Sequence, residues 1–252
     1  MKIIISPAKN MKENEDVFDN VTVPVYMDRA KAVLENMRMK SPDELKRIWK
    51  CSDRIAQINY DRISEMNLYS HLTPAILCYD GIAFKYMGPA VFDTKQLQYV
   101  QDHLRILSAF YGSLAPLDGV RAYRLEMQAK MEISGFSNLY EFWGRDIYED
   151  VKDDCIINLA SKEYSMTVER YLEPKTRYIT CVFAQEDNEG KPVTKATYAK
   201  MARGSMVRYM AEHSVEDPEQ LKGFNIFGYR YREDLSNDSR FVYILDEMPD
   251  KI

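Results

Sequence analysis

Histidine is scarce in this sequence: His71, His103 and His213 are the only three in 252 residues, and they lie far apart. A His-based metal centre or a Ser–His–Asp triad therefore has little to be built from. Cysteine is equally thin. Cys51, Cys78, Cys155 and Cys181 form no CxxC pair. Three of them sit in apolar runs, where Cys packs as a small hydrophobe, so neither a disulfide framework nor a zinc site is expected. Long hydrophobic runs are missing too: nothing approaches the roughly 18 apolar residues of a membrane helix, and MKIIISPAKN has too short an apolar run for a secretory signal. Positive charge is not in excess, since 34 Lys and Arg stand against 39 Asp and Glu for a net charge of −5. Any basic site must be a local patch on an acidic body. The expectation is a cytoplasmic protein, monomeric, with no metal, no other cofactor and no membrane partner.

What is present is ordinary for a globular chain, with 46% hydrophobic and 29% charged residues. Lys2–Ile5 reads as a buried strand ended by Ser6-Pro7, and residues 10–24 as a loop. Residues 27–40 have helical spacing. Ser41-Pro42-Asp43-Glu44 is a capping box that opens a helix to about Cys51, and Ser52 or Asp53 starts another to about Met66. Pro74–Tyr79 reads as a strand closed by Asp80-Gly81. A helix is expected from Asp93 to Gly112, a strand over Arg121–Met127, and a helix from Asn138 to about Val151. Cys155–Ala160 reads as a strand, with Ser161 capping the next helix. Residues 178–184 and 192–197 suit a hairpin, 197–212 a helix, and 228–232 and 240–245 a last strand pair. Loose alternation of the two types predicts an α/β (mixed α+β) fold. We expect one domain over 1–252, with a mixed central sheet flanked by helices.

Two strand-to-turn segments share a form. IIISPAK carries Ser6 and Lys9; IINLASKEY carries Asn158, Ser161, Lys162, Glu163 and Tyr164. Ligands of open α/β sheets gather beyond the carboxyl ends of strands, so adjacent, parallel strands here would bring these tips together. The alternative is that Ser161 does no more than cap a helix and Ser6-Pro7 no more than turn the chain. LRILSAFYGSLAPLDGVRAYRLEM, 104–127, places Arg105, Tyr111, Asp118, Arg121, Tyr123, Arg124 and Glu126 among apolar residues. A buried Arg needs an acid or a ligand anion. Arg124 and Glu126 share a strand face and are expected at one cleft beside Asn158 or Ser161, as a ligand site or a structural ion pair.

Basic residues cluster in two helical regions. On 197–212 one arc is apolar and the other holds Lys200, Arg203, Gly204 and Arg208. That arc is a solvated face or a phosphate surface, and Gly204 would let a backbone or ligand come close. The helix pair over 42–66 carries Lys46, Arg47, Lys50, Arg54 and Arg62; plain helical packing is the favoured reading, and following a nucleic-acid backbone without reading bases is the other. The hairpin IWKCSDRIA has no glycine, unlike the usual helix–hairpin–helix.

ISPAK at 5–9, the long block at 104–127, FWG at 142–144, INLASKEY at 157–164, KMARGSMVR at 200–208 and GFNIFGY at 223–229 resemble the signature blocks of the YaaA family of peroxide stress proteins. They occur in the family's order over nearly the whole chain, while YDGIAFKYM at 79–87 departs from the family's pattern. The resemblance implies a cytoplasmic protein that helps cells withstand hydrogen peroxide and is associated with limiting free intracellular iron. It also implies a mixed α/β fold with a positively charged cleft, a helix–hairpin–helix-like element and DNA binding. The expected partner is double-stranded or branched DNA, bound without regard to sequence. Ser6, Lys9, Arg105, Tyr111, Asp118, Tyr123, Arg124, Asn158, Ser161, Lys200, Arg203 and Arg208 lie in the matching blocks and, with Lys50 and Arg54 of the helix pair, are the candidate contacts. The rival reading is an enzyme acting on a nucleotide or nucleobase, with Glu126, Glu163 or Lys9 as its reactive group. An enclosed pocket with a buried carboxylate would favour the enzyme, and an open basic groove the binding protein. Direct iron binding is not expected, because no His, Cys and carboxylate cluster has ligand spacing.

Overall fold

The computed structural model describes residues 1–14 and 21–246. The chain runs β1 (Lys2–Ile5), β2 (Asn10–Met11), α1 (Met27–Arg38), α2 (Pro42–Trp49), α3 (Asp53–Glu65), β3 (Thr73–Pro74), α4 (Ala75–Cys78), β4 (Tyr79–Asp80), α5 (Ile82–Met87) and α6 (Thr94–His103). It continues through β5 (Leu104–Ser108), β6 (Gly112–Leu114), β7 (Gly119–Val120), α7 (Leu139–Trp143), α8 (Asp146–Val151), β8 (Cys155–Leu159), α9 (Lys162–Glu169), β9 (Arg177–Glu186), β10 (Pro192–Val193), α10 (Ala196–His213), β11 (Tyr229–Tyr231) and β12 (Arg240–Leu245). The architecture is the mixed α/β one expected.

The main sheet has the order β11-β12-β9-β8-β1-β5-β6, with β10 folded back on β9. Its centre is parallel: β12 on β9, β9 on β8, β8 on β1 and β1 on β5. The edge strands β11 and β6 are antiparallel. Successive residues of a strand point to opposite faces, yet Ile3, Ile4 and Ile5 are all buried, as are Ile156, Ile157 and Leu159. Both faces of the centre are therefore covered, which is why these strands read as unbroken apolar runs. From β1 the sheet grows one way through β5 and β6, and from β8 the other way through β9 and β12. The strand order thus reverses between β1 and β8, the point at which open α/β sheets leave a crevice beyond their strand ends.

Several expectations need correction. Pro74–Tyr79 is no strand. Ala75 N–H is bonded to the Asp118 carbonyl and Ile76 N–H to the Pro116 carbonyl, and 75–78 turns as one helical turn between two short bridges. The helix from Asp93, with its Asp93/Gln96 capping box in place, ends at His103, and LRILS becomes a core strand beside β1. A short apolar run does not distinguish a buried helix from a buried strand. Gly112, expected as the helix end, is left-handed at φ +81 and instead turns β5 into β6 against the Trp143 ring. Residues 121–126 have no ladder partner; the in–out alternation of a strand holds only from Tyr123 on, with Tyr123, Leu125 and Met127 buried, because Ala122 is buried as well. Their N–H groups go to side chains: Arg121 to Tyr111 Oη, Ala122 to Glu13 Oε1 and Tyr123 to Met11 Sδ. The helix from Asn138 is two, α7 and α8, parted at Gly144.

The Ser41 capping box is complete, and α2 ends at Lys50, which is left-handed at φ 45. α3 follows at once, so the expected helix pair is present as a tight hairpin. Part of the expected loop over 10–24 lies outside the described residues. The rest holds β2, paired with β4, and Thr22, which bridges to Asp118.

Candidate functional site

Beyond the carboxyl ends of β1 and β8 lies a pocket of about 340 Å³. Five segments wall it: 5–10 after β1, 80–84 at the start of α5, the irregular 123–126, the β8 tip leading into α9, and α10. Ser6, Lys9, Tyr123, Arg124, Glu126, Ser161, Glu163, Lys200 and Arg203 all line it. The two strand tips are joined directly: Ser161 N–H donates to Ser6 Oγ at 2.8 Å, and Ser6 Oγ–H donates to Ser161 Oγ at 3.1 Å. Ser161 starts α9 with an extended backbone, but its hydroxyl makes no cap; it is turned to Ser6 instead.

The charges in the pocket are unequally paired. Glu126 Oε1 lies 2.8 Å from Lys9 Nζ and 3.8 Å from the Arg124 guanidinium. Lys9 is largely exposed; the Arg124 side chain is only 12% exposed, and its Nε has no partner. Arg203 is the extreme case. It is mostly buried, its Nε has no hydrogen-bond acceptor, and it forms no ion pair among the described residues. Burial accordingly lowers its pKa. Lys200 stands exposed one turn earlier, at the rim. The expected uniform basic arc on α10 is thus divided, because the helix is central rather than superficial. Gly204 faces α5 so closely that an added Cβ would lie 1.9 Å from the Ala83 carbonyl oxygen. Arg208 lies outside the pocket lining and pairs with Glu212 at 2.7 Å.

Glu163 is half-buried. Burial raises its carboxyl pKa above the ordinary 4.5; the charge of Glu126 adds to the rise, while hydrogen bonds from the Gln128 and Met127 N–H groups and the charge of Lys9 oppose it. Its Oε1 accepts from Gln128 N–H at 3.3 Å. Tyr123 contributes its ring to the wall but not a free hydroxyl, which is held 2.8 Å from Tyr79 Oη and 2.7 Å from Ser108 Oγ. Burial pushes the Tyr123 pKa to about 12.

The remaining candidates lie elsewhere. Asn158 is buried behind the tip; its Oδ1 accepts from Ala160 N–H at 2.9 Å and its Nδ2 donates to Thr180 Oγ1 at 3.3 Å. Tyr111 is buried and accepts from Arg121 N–H at 3.1 Å. Asp118 accepts from the Thr22 hydroxyl at 2.7 Å and from Ala115 N–H at 2.8 Å, and burial raises its pKa. Arg105 pairs with Asp150, 3.2 Å away, which also accepts from Ser113. Each arginine of the 104–127 block therefore has its own acid: Arg105 has Asp150, Arg121 has Glu13 at 2.7 Å, and Arg124 has Glu126. Only the last pair faces the pocket. Lys50 and Arg54 lie on the α2–α3 hairpin, outside this pocket. Lys50 helps line a shallow depression with Asp43, Lys46, Arg47 and Cys51.

Sequence reasoning missed the 80–84 wall. Asp80 is held by Lys12 at 2.8 Å and Lys85 at 3.6 Å, and Phe84 supplies an aromatic side. The signal available was the Asp80-Gly81 turn, which was read only as a strand end. No group of three or more His, Cys, Asp or Glu among the described residues could hold a metal ion. No described helix is long and apolar enough to cross a membrane.

A family profile described as peroxide stress protein YaaA matches residues 1–235. Curated relatives extend the likeness over the chain. A UPF0246 protein of Agathobacter rectalis is 56% identical over 245 residues, covering 96% of this chain and 98% of its own. Those of Ligilactobacillus salivarius and Lachnoclostridium phytofermentans are 48% and 49% identical over 246 and 249 residues. They cover 97% and 98% of this chain, and 99% and 97% of their own.

Proposed function

Because the chain belongs to the family of peroxide stress protein YaaA, we propose that it serves the peroxide stress response by binding DNA without regard to sequence, with backbone phosphate anchored at the pocket by Arg203, Lys200 and Arg124. One observation carries this reading. Arg203 is a mostly buried guanidinium with no carboxylate partner among the described residues. A buried charge is costly unless paired, and an anion from outside supplies the missing partner with charge-assisted hydrogen bonds. The α2–α3 hairpin offers a second contact, since Lys50 and Arg54 are exposed and form no ion pair among the described residues. Bound DNA would be shielded from iron-driven peroxide damage, which connects this reading to limitation of free iron.

The test is fluorescence anisotropy with unrelated duplex and branched DNAs at several salt concentrations. Affinity should be similar across sequences and fall with salt, with a log–log slope of about −0.9 per phosphate neutralised. The Lys200→Gln, Arg203→Gln double variant should bind more weakly on all of them. Failure of the wild-type protein to bind any DNA at low salt would remove the reading.

A second reading rests on Glu163, a half-buried carboxyl in a pocket closed beneath by the joined strand tips, which is the arrangement expected of the enzyme and not an open basic groove. A carboxyl with a raised pKa in a pocket is a suitable general acid or base, so an enzyme acting on a nucleotide or nucleobase, with Glu163 or Glu126 in that role, is the alternative. Turnover of nucleotides, followed by chromatography and abolished in Glu163→Gln, would decide for it.

A further inference from the structure

Phosphate anchoring does not account for the whole pocket. Two carboxylates, Glu126 and Glu163, share it with the cations, and a carboxylate beside a phosphate is repulsive. A site made for phosphate alone would not hold them. Apolar and aromatic groups complete the lining, among them Ala8, Ile82, Phe84 and Tyr164, and phosphate has no use for these either. A ligand that suits all three kinds of wall has an anionic end, N–H donors for a carboxylate and a flat apolar face. A nucleotide has all three: its phosphate is the anion, its base edge carries N–H groups that Glu or Asp accepts from, and its base stacks on aromatic or apolar side chains.

Size narrows the choice. At about 340 Å³ the pocket lies at the lower end of the range for small-molecule sites, roughly 300–1,000 Å³. It is closed beneath by the joined Ser6 and Ser161 tips. A paired duplex cannot enter such a space, whereas one nucleotide swung out of the stack, or standing at a strand end, can.

We propose that the pocket takes one nucleotide unit at a time, its phosphate on Arg203 and Lys200 and its base between the apolar wall at Ala8 and Phe84 and the carboxyl of Glu163. This rests on the reading of the pocket as an anchor for DNA phosphate and specifies what enters it. The same chemistry is offered by a nucleotide displaced from DNA and by a free nucleoside monophosphate, and the two sources separate experimentally.

The purified full-length chain would be titrated with the four deoxynucleoside monophosphates and with inorganic phosphate by calorimetry. Anisotropy would then compare a matched duplex with the same duplex carrying one extrahelical nucleotide. At least one monophosphate should bind on the order of tenfold more tightly than inorganic phosphate, the margin of one good base-edge contact, and should displace DNA. The extrahelical nucleotide should strengthen DNA binding by a similar factor. Lys200→Gln, exposed and therefore tolerated by the fold, should weaken every ligand. Glu163→Gln should change the ranking of the four bases without weakening inorganic phosphate. If monophosphates bind no better than phosphate and the extrahelical duplex no better than the matched one, while DNA still binds, the inference is wrong and the DNA reading stands. If a monophosphate binds and neither duplex does, the inference holds for free nucleotides and the DNA reading falls. If nothing binds, both fall.

Discussion

The carbonyl oxygen of Ala83 lies 1.9 Å from the place a Cβ on Gly204 would occupy. α5 and α10 therefore cross backbone to backbone, and this contact sets the distance between the Phe84 and Arg203 walls of the pocket. In an open helix Gly204→Ala would stabilise by about 1 kcal/mol through helix propensity. Here the added methyl meets backbone, which cannot rotate away as a side chain can, and overpacking costs about 1–3 kcal/mol or more. The variant should be less stable than wild type, and since a protein of this size loses roughly 2–4 °C per kcal/mol, its melting temperature should fall by several degrees. DNA affinity should fall with it as the walls separate. A rise in melting temperature would mean that the helices part freely and that this contact does not shape the pocket.

Glu126 holds Lys9 at 2.8 Å and reaches the Arg124 guanidinium at 3.8 Å, so it neutralises cations that an anionic ligand needs. Glu126→Gln should tighten DNA binding a few-fold, as a nearby like charge is removed. Stability should fall modestly: the pair with the largely exposed Lys9 contributes about 0–1 kcal/mol, but the nearly buried Arg124 loses the one acid it reaches among the described residues. Anisotropy and thermal melts measure the two effects. Weaker binding in a folded variant would make Glu126 a ligand contact and not a counter-ion.

How much of this was legible from the residues depends on what each signal reports. β1 and β8 were found because strands buried on both faces are unbroken apolar runs, and their Ser6 and Ser161 tips met because the two strands are parallel neighbours. The capping box at Ser41 was local chemistry and came out as read. LRILS failed because apolarity records burial, not periodicity. Residues 121–127 failed because alternation records which side chains are inside, and cannot say that the N–H groups are taken by Tyr111, Glu13 and Met11. Arg105 and Asp118 carried the same signal as Arg124, a polar group in an apolar block. Only three-dimensional pairing assigned Arg105 to Asp150, Asp118 to Thr22 and Ala115, and Arg124 to the pocket. The burial of Arg203 was hidden because α10 looked amphipathic while packing on nearly all sides.

Glu163 should give the protein a pH signature. Burial raises its native pKa above the ordinary 4.5, so the folded state keeps this proton to higher pH than the unfolded chain. Its contribution to stability is complete below about 4.5 and is lost as pH rises through the raised native value. Gln carries no charge and can still accept from Gln128 N–H. Glu163→Gln should therefore match wild type in acid and become the more stable of the two towards neutrality. Anion binding by wild type should strengthen on acidification through the same window, and this component should vanish in the variant. Melting curves across pH check the first claim and anisotropy the second; a stability gap that widens towards acid would sink both.

The α2–α3 hairpin turns without a glycine. A helix–hairpin–helix normally turns on glycine, and this chain has Lys50 in the left-handed position, at φ 45. An L-residue there is strained by about 1–2 kcal/mol, which glycine would relieve, less about 0.5–1 kcal/mol for the greater freedom of glycine in the unfolded chain. Lys50→Gly should consequently fold as stably as wild type or slightly more so, with the hairpin unchanged, and lose one positive charge at its apex. If the hairpin lies on DNA, affinity should fall about equally for unrelated sequences, since phosphate contacts position without specifying. The slope of log affinity against log salt should become shallower by about 0.9, one phosphate's share. Nucleoside monophosphate binding at the pocket should not change, because Lys50 does not line it. An unaltered slope in a variant of undiminished stability would take the hairpin out of the DNA interface and leave phosphate anchoring to the pocket.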